Sequence, residues 1–257
     1  MKALTASREY LGEHRRMIIG RSLAAALLGS VPVPILDDWL VSAVRRSTIQ
    51  RIADARGVDI DDDAIKAIAD GKESPPKLTE LAGGGLALRL ISRRWKKLLI
   101  FLFAARRAQA ASKNFAVATL FDHYCARRHV GFGLDGESGR ELRALIDQSR
   151  KDTPGGLSRE LFRKGLVTAA KASLKAPLHA ADLLSRGRLT KLLKAESDVE
   201  AVTEVDEALE RQLAKEDSFL GRSVTAIELQ LATEQNPYID DLIDRFDLLL
   251  AEKREEE

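Results

Sequence analysis

The stretch that decides the fold is residues 17–59, which read MIIGRSLAAALLGSVPVPILDDWLVSAVRRSTIQRIADARGVD. An apolar run with Arg21 as its only charge leads into a Pro-Val-Pro segment, where proline holds the backbone extended. Two aspartates follow, at the position where a helix N-terminus favours capping oxygens and negative charge, and Gly57 suits the end of that second helix. The stretch therefore predicts a helical hairpin with a proline-rich turn.

The apolar part of this stretch also permits a different interpretation. Residues 17–36 are long enough to reach across a bilayer. Arg21 and the prolines at 32 and 34 argue against it, because a charge is costly at the bilayer centre and proline interrupts a helix. We predict a buried helix that ends at Gly29, and membrane insertion stays open as the alternative.

Composition favours helices throughout the chain. Aromatic residues make up 5% of its 257 residues, and Ala and Leu, which lose little side-chain freedom in a helix, are abundant. Apolar content of 45% and charged content of 31% are typical of a globular protein and exclude the disordered and fibrous classes. We predict an all-α multi-helix bundle built on the N-terminal hairpin. The single cysteine and the polar N-terminus favour a cytoplasmic protein.

The charges divide the chain unevenly. Residues 1–195 carry 35 Lys and Arg against 20 Asp and Glu, whereas residues 196–257 carry 6 against 19. We predict three regions: a hairpin core (1–135), basic amphipathic helices (136–195) and an acidic helical region (196–257). Opposite charges on two parts of one chain favour docking of one part on the other. We expect the acidic region to dock on a basic face, within the chain or between protomers of a homo-oligomer.

Two basic amphipathic elements provide candidate binding residues. Residues 81–121 contain no acidic residue, and at helical spacing four of their cations fall on one face, opposite an apolar face. A second set recurs on one face of the helix predicted around residues 161–174. Such faces bind anionic membranes or acidic proteins, although many are ordinary solvated helix surfaces. The candidate partner- and membrane-binding residues are Arg89, Arg93, Lys96, Arg107, Lys164, Lys171 and Lys175.

Several motifs suggest chemistry that their context does not support. The aspartates at 61–63 lack the EF-hand pattern and are predicted to cap a short helix that Gly71 ends. His123, Cys125 and His129 match no zinc-ligand spacing. Residues 131–136 spell G-x-G-x-x-G but follow a predicted helix, whereas the dinucleotide-binding loop follows a strand. We therefore predict no metal, no cofactor and no enzymatic activity.

Part of the chain resembles the YcjF-like family, a helical domain of unknown function associated with Era-like GTPases. The resemblance covers residues 15–130. Its motifs are the apolar helix, the Pro-Val-Pro-Ile-Leu-Asp segment at 32–37, and Ile-Gln-Arg-Ile-Ala at 49–53 leading to Gly-Val-Asp at 57–59. It implies membrane association and a GTPase partner. The chain itself contains no GTP-binding motif, so that GTPase would be a separate protein.

These observations favour a non-catalytic adaptor at the cytoplasmic surface of a bacterial inner membrane, peripherally bound and partnering a separate GTPase. The alternatives are a nucleic-acid-binding protein or a purely protein-interacting helical protein. Nucleic-acid binding is the weaker of these, because the basic face has few aromatic residues for stacking and the acidic region opposes it.

Overall fold

The structure is a computed structural model that describes residues 8–28, 36–71, 93–127, 131–153, 156–172, 218–231 and 237–256, with 206, 207, 209–211 and 213–215. Within these residues the protein is an all-α bundle, as predicted. Its helices are α1 (Tyr10–Leu28), α2 (Leu36–Arg56), α3 (Asp62–Asp70), α4 (Arg93–Ala126), α5 (Gly136–Asp152), α6 (Gly156–Ala172), α7 (Phe219–Leu231) and α8 (Tyr238–Glu256). Two short strands, β1 (Asp59–Ile60) and β2 (Gly133–Leu134), were not predicted.

Helix α1 lies at the centre of the bundle. Every residue from Ile18 to Leu28 is buried, and the helix packs against α2, α4 and α7. The buried helix predicted before Gly29 is therefore confirmed. The helix runs without a break from Tyr10 to Leu28. None of the described helices is both long enough and apolar enough to cross a membrane.

The second helix of the hairpin buries the residues expected of it. Val44, Ile49 and Ile52 are at most 2% exposed, and α2 packs against α1. It ends at Arg56, before Gly57 with a φ of 66°, a left-handed conformation that favours glycine. Asp37 and Asp38 lie in its first turn, as predicted. The proline turn at 32–34 lies outside the described residues.

The two strands belong to a repeated local structure. Each follows a glycine with positive φ, Gly57 or Gly131, and they pair in parallel, Asp59 opposite Gly133 and Ile60 opposite Leu134. An aspartate follows each strand and caps the next helix. Asp61 accepts a hydrogen bond from the Ala64 amide (2.6 Å), and Asp135 accepts one from the Ser138 amide (2.8 Å). The predicted capping role of the aspartates at 61–63 is confirmed for Asp61.

The helices that follow the strands, α3 and α5, cross at a glycine. A Cβ atom on Gly139 would lie 2.8 Å from the Cα of Ala64, so only a residue without a side chain permits this approach. Parallel pairing and the crossing together place the two helix–strand–helix units side by side. The G-x-G-x-x-G sequence is thereby explained: Gly131 forms the turn, Gly133 lies in β2, and Gly136 is the first residue of α5.

One hydrophobic core joins the described parts of all three predicted regions. It extends from Leu11 in α1 through Phe115 and Phe121 in α4 to Phe246 in α8. Residues of the acidic region are among its most buried members: Leu209, Val224, Ile227, Leu242 and Ile243 are at most 1% exposed. The acidic region is therefore built into the core, and the division into three regions remains a prediction about the whole chain.

Candidate functional site

A cluster of ionisable side chains lies where α1, α2, α4 and α8 meet. We call it the polar cluster, and its residues are Tyr10, Glu13, His14, Arg56, Asp122, His123, Arg127 and Asp247. Asp122 and His123 are 0% and 2% exposed, respectively. Burying an ionisable group costs free energy unless the group is paired, so the partners of Asp122 and His123 matter for stability.

Asp122 is held by groups from two other helices. It accepts hydrogen bonds from Arg56 Nε (2.8 Å) and lies 2.9 Å from His14 Nδ1. Arg56 also donates from Nη2 to the Tyr10 carbonyl (2.8 Å). Burial opposes the charge on Arg56, but the hydrogen bond and charge of Asp122 outweigh it and raise the pKa of Arg56. Helical periodicity alone would place Arg56 on the polar side of α2, but Asp122 provides it with a buried partner.

His123 joins the first helix to the last. Its Nδ1 lies 2.5 Å from the Tyr10 hydroxyl, and its Nε2 lies 2.8 Å from Asp247 Oδ1. A carboxylate can only accept a hydrogen bond, so Nε2 donates to Asp247. Both ring nitrogens are engaged, Nδ1 by the Tyr10 hydroxyl and Nε2 by Asp247.

Asp247 stays ionised because of its cationic neighbours. Burial opposes its charge, but the hydrogen bond and charge of His123, together with Arg127, lower the pKa of Asp247. Arg127 Nη1 lies 2.6 Å from the other carboxylate oxygen. Tyr10 responds in the opposite direction, since burial raises the pKa of its hydroxyl. The imidazole of His123 thus connects the phenol of Tyr10 to the carboxylate of Asp247.

A cleft opens beside this chain, between the last turns of α4 and α8. Its volume is about 290 Å³, and its walls combine His123, Arg127, Asp247 and Arg254 with apolar side chains such as Phe246. Tyr10 and Asp247 engage both nitrogens of His123, so His123 connects α1, α4 and α8.

A second group of charges, the Arg21 cluster, fixes the acidic region to the hairpin. Arg21 is 0% exposed, and its Nη1 lies 2.6 Å from Asp206 and 2.8 Å from the Ser47 hydroxyl. Its Nη2 lies 2.7 Å from Glu210. Arg51 pairs with Asp206 from α2 at 2.5 Å. Burial raises the pKa of Asp206, but the hydrogen bonds from Arg21 and Arg51 outweigh it and lower that pKa overall.

Further ion pairs connect the N-terminal residues to the acidic helices. Arg8 pairs with Asp240 (2.7 Å) and with Asp244, and Arg16 pairs with Glu228 (2.7 Å). For the described residues, the predicted docking of the acidic region on a basic face is confirmed, and it occurs within the chain. Only the signs of the charges could be predicted from the sequence, because the partners lie too far apart in the chain for spacing to pair them.

The residues predicted to bind a membrane or partner lie in different places. Lys164 on α6 is 58% exposed, and its Nζ lies 3.8 Å from Glu160. Arg107 is half-buried and donates to the Ala26 carbonyl (2.6 Å), which connects α4 to α1. The side chains of the other five residues are not described. Arg93 and Lys96 lie in the first turn of α4, and Lys171 lies in α6. Arg89 and Lys175 lie outside the described residues.

The three residues considered as candidate zinc ligands lie in different surroundings. Cys125 is 1% exposed and is a core residue, His123 belongs to the polar cluster, and His129 lies outside the described residues. In the described part of the chain, no group of three or more His, Cys, Asp or Glu side chains is arranged to hold a metal ion.

Comparison of the chain with protein-family models, curated proteins and solved structures gives no match. The resemblance of residues 15–130 to the YcjF-like family therefore remains a prediction from the sequence.

Proposed function

We propose that this protein is a non-catalytic adaptor that binds an acidic surface at the cytoplasmic face of the membrane through basic helix faces. The observation that carries the proposal is the use of its interior histidines and carboxylates as connectors between helices. His123 joins α1, α4 and α8, and Asp122 joins α1, α2 and α4. A rigid platform of this kind suits a protein that presents surfaces.

We assign binding to basic residues of two helices. Lys164 and Lys171 are two turns apart on α6, and Arg93 and Lys96 belong to the first turn of α4. A Lys or Arg near an anionic leaflet contributes about 1 kcal/mol, so four such residues support reversible attachment. Attachment of this kind is peripheral and weakens with salt.

The acidic region supports this proposal as part of the platform. Leu242, Ile243 and Phe246 of α8 are fully buried in the common core. Releasing three such side chains into water would cost about 5 kcal/mol or more. The ion pairs of Arg8, Arg16 and Arg21 therefore hold a structural element in place.

Vesicle flotation tests the membrane part of the proposal. We expect the protein to float with phosphatidylglycerol-containing vesicles at low salt and to remain behind with phosphatidylcholine vesicles. Substituting Lys164→Gln and Lys171→Gln together removes two charges, and we expect about 30-fold weaker partitioning. The matched control is Arg211→Gln with Lys215→Gln, which removes two exposed charges from another surface. Equal loss in both variants, or binding to both vesicle types, would contradict the proposal.

The GTPase partner, which the family resemblance implies, requires a separate experiment. We expect the immobilised protein to retain a GTPase from a lysate of its own host, with retention that differs between a non-hydrolysable GTP analogue and GDP. The same Lys164→Gln, Lys171→Gln variant shows whether one surface serves both partners. If no GTPase is enriched with either nucleotide, the adaptor has a different partner.

A further inference from the structure

A small, partly open cavity lies where α1, α2, α3 and α4 meet. Its volume is about 20 Å³, and its wall includes Arg21, Arg45, Thr48 and Asn114 together with apolar residues such as Ile49 and Val117. A cavity of about 10–15 Å³ is already large enough for one water-sized occupant. Cavities that stay empty in proteins are apolar, and this one has two guanidinium groups in its wall.

Two residues of the cavity wall carry buried hydrogen-bond donors. Arg21 is completely buried, and its two terminal nitrogens are engaged by Ser47, Asp206 and Glu210. Its Nε is buried and finds no hydrogen-bond partner among the described residues, and the same is true of Asn114 Nδ2. Both of these atoms are donors, so they cannot bond to each other. Each buried donor left in this state costs about 1–3 kcal/mol.

We propose that this cavity binds one monovalent anion, chloride, between Arg21 Nε and Asn114 Nδ2. An anion accepts from both donors and needs no acceptor in return, whereas water would have to place its own two protons as well. Arg45 contributes a further positive charge to the wall. The volume admits a monatomic ion.

The anion would act on the Arg21 cluster. The same guanidinium that holds the anion at Nε holds Asp206 and Glu210 at its terminal nitrogens, so the anion fixes the orientation of the whole group. Binding to the folded state alone stabilises a protein in proportion to ligand concentration. Chloride is therefore expected to stabilise the attachment of the acidic region to the hairpin, independently of any membrane or protein partner.

The test compares halides with a large anion at constant ionic strength. In the full-length protein, the unfolding midpoint is expected to rise saturably as sodium gluconate is replaced by sodium chloride or bromide. Asn114→Ala should lose this dependence. Gln109→Ala removes an exposed amide from the same helix and should retain it. Equal midpoints in gluconate and in halide would overturn the proposal.

Anomalous diffraction from crystals grown in sodium bromide gives an answer that does not depend on any variant folding. We expect one anomalous peak between Arg21 and Asn114. Electron density at that position without an anomalous signal would identify the occupant as water and would also overturn the proposal. Neither result depends on vesicle binding, so this proposal and the adaptor function can fail separately.

Discussion

Arg21 is a cation with no exposed surface in the buried, otherwise uncharged part of α1, and Asp206 and Glu210 make that position tolerable. Removing one partner of a buried ion pair costs more than the pair itself contributes, because the other charge remains buried. Arg21→Met is therefore expected to destabilise the protein by about 3 kcal/mol in urea unfolding. Arg16→Met removes a half-exposed pair with Glu228 and should cost less than about 1 kcal/mol. Equal costs would show that Arg21 is not held as described.

The ionisation of Asp247 predicts how the stability of the protein depends on pH. Its folded-state pKa lies below its ordinary value, so its contribution to stability is present above about pH 4. That contribution is lost as the pH falls through the lowered pKa. Urea unfolding should therefore show Asp247→Asn less stable than wild type at neutral pH, with the difference shrinking below about pH 4. Glu252→Gln, at an exposed position on the same helix, should leave the pH dependence unchanged.

At the scale of elements, the crossing of α3 and α5 depends on Gly139. A methyl group there would collide with the backbone of Ala64, so Gly139→Ala is expected to destabilise the protein by about 1–3 kcal/mol. Gly12 in α1 is the matched control, because a Cβ atom at that position has no neighbour within 4 Å. Gly12→Ala should stabilise by about 0.5–1 kcal/mol through helix propensity. Thermal unfolding of the two variants, with shifts of opposite sign, measures both effects.

Substitution of the capping aspartates is expected to destabilise the strand–helix junctions. Asp61→Ala removes the acceptor for the Ala64 amide and should destabilise the protein by about 1 kcal/mol, whereas Asp61→Asn should retain most of that stability. Asp135→Ala should act in the same direction through the Ser138 amide. Chemical denaturation measures all three. An Asn variant as unstable as the Ala variant would show that the charge, and not the cap, is what matters.

The sequence predicted where helices end better than it predicted which side chains from different helices are in contact. Gly57, Gly71 and the acidic residues before short helices are local signals, so helix ends could be placed from them. The strands were missed because two residues are too few to show alternation of apolar and polar side chains. Periodicity placed Arg56 on the polar side of its own helix, but it contains no information about Asp122, which lies 66 residues further along the chain.

At the scale of the whole molecule, the acidic region is required for the fold. Leu209, Ile227 and Phe246 complete a core that begins with α1. A chain that stops after residue 195 is expected to bind hydrophobic dyes and to lose its near-ultraviolet circular dichroism while keeping helical content, as partly folded states do. A truncated chain that unfolds cooperatively would contradict this and would restore the idea of a detachable acidic domain.

The position of α1 also determines when this protein can fold during synthesis. The partners of Arg8, Arg16 and Arg21 in the acidic region lie 232, 212 and 189 residues further along the chain. The first helix therefore leaves the ribosome long before its acidic partners exist, with an apolar surface that nothing yet covers. Contacts between residues so far apart in the chain form slowly, and exposed apolar segments recruit chaperones or aggregate in the meantime. Protease digestion of ribosome-bound chains of increasing length should show α1 becoming protected only after α8 has emerged.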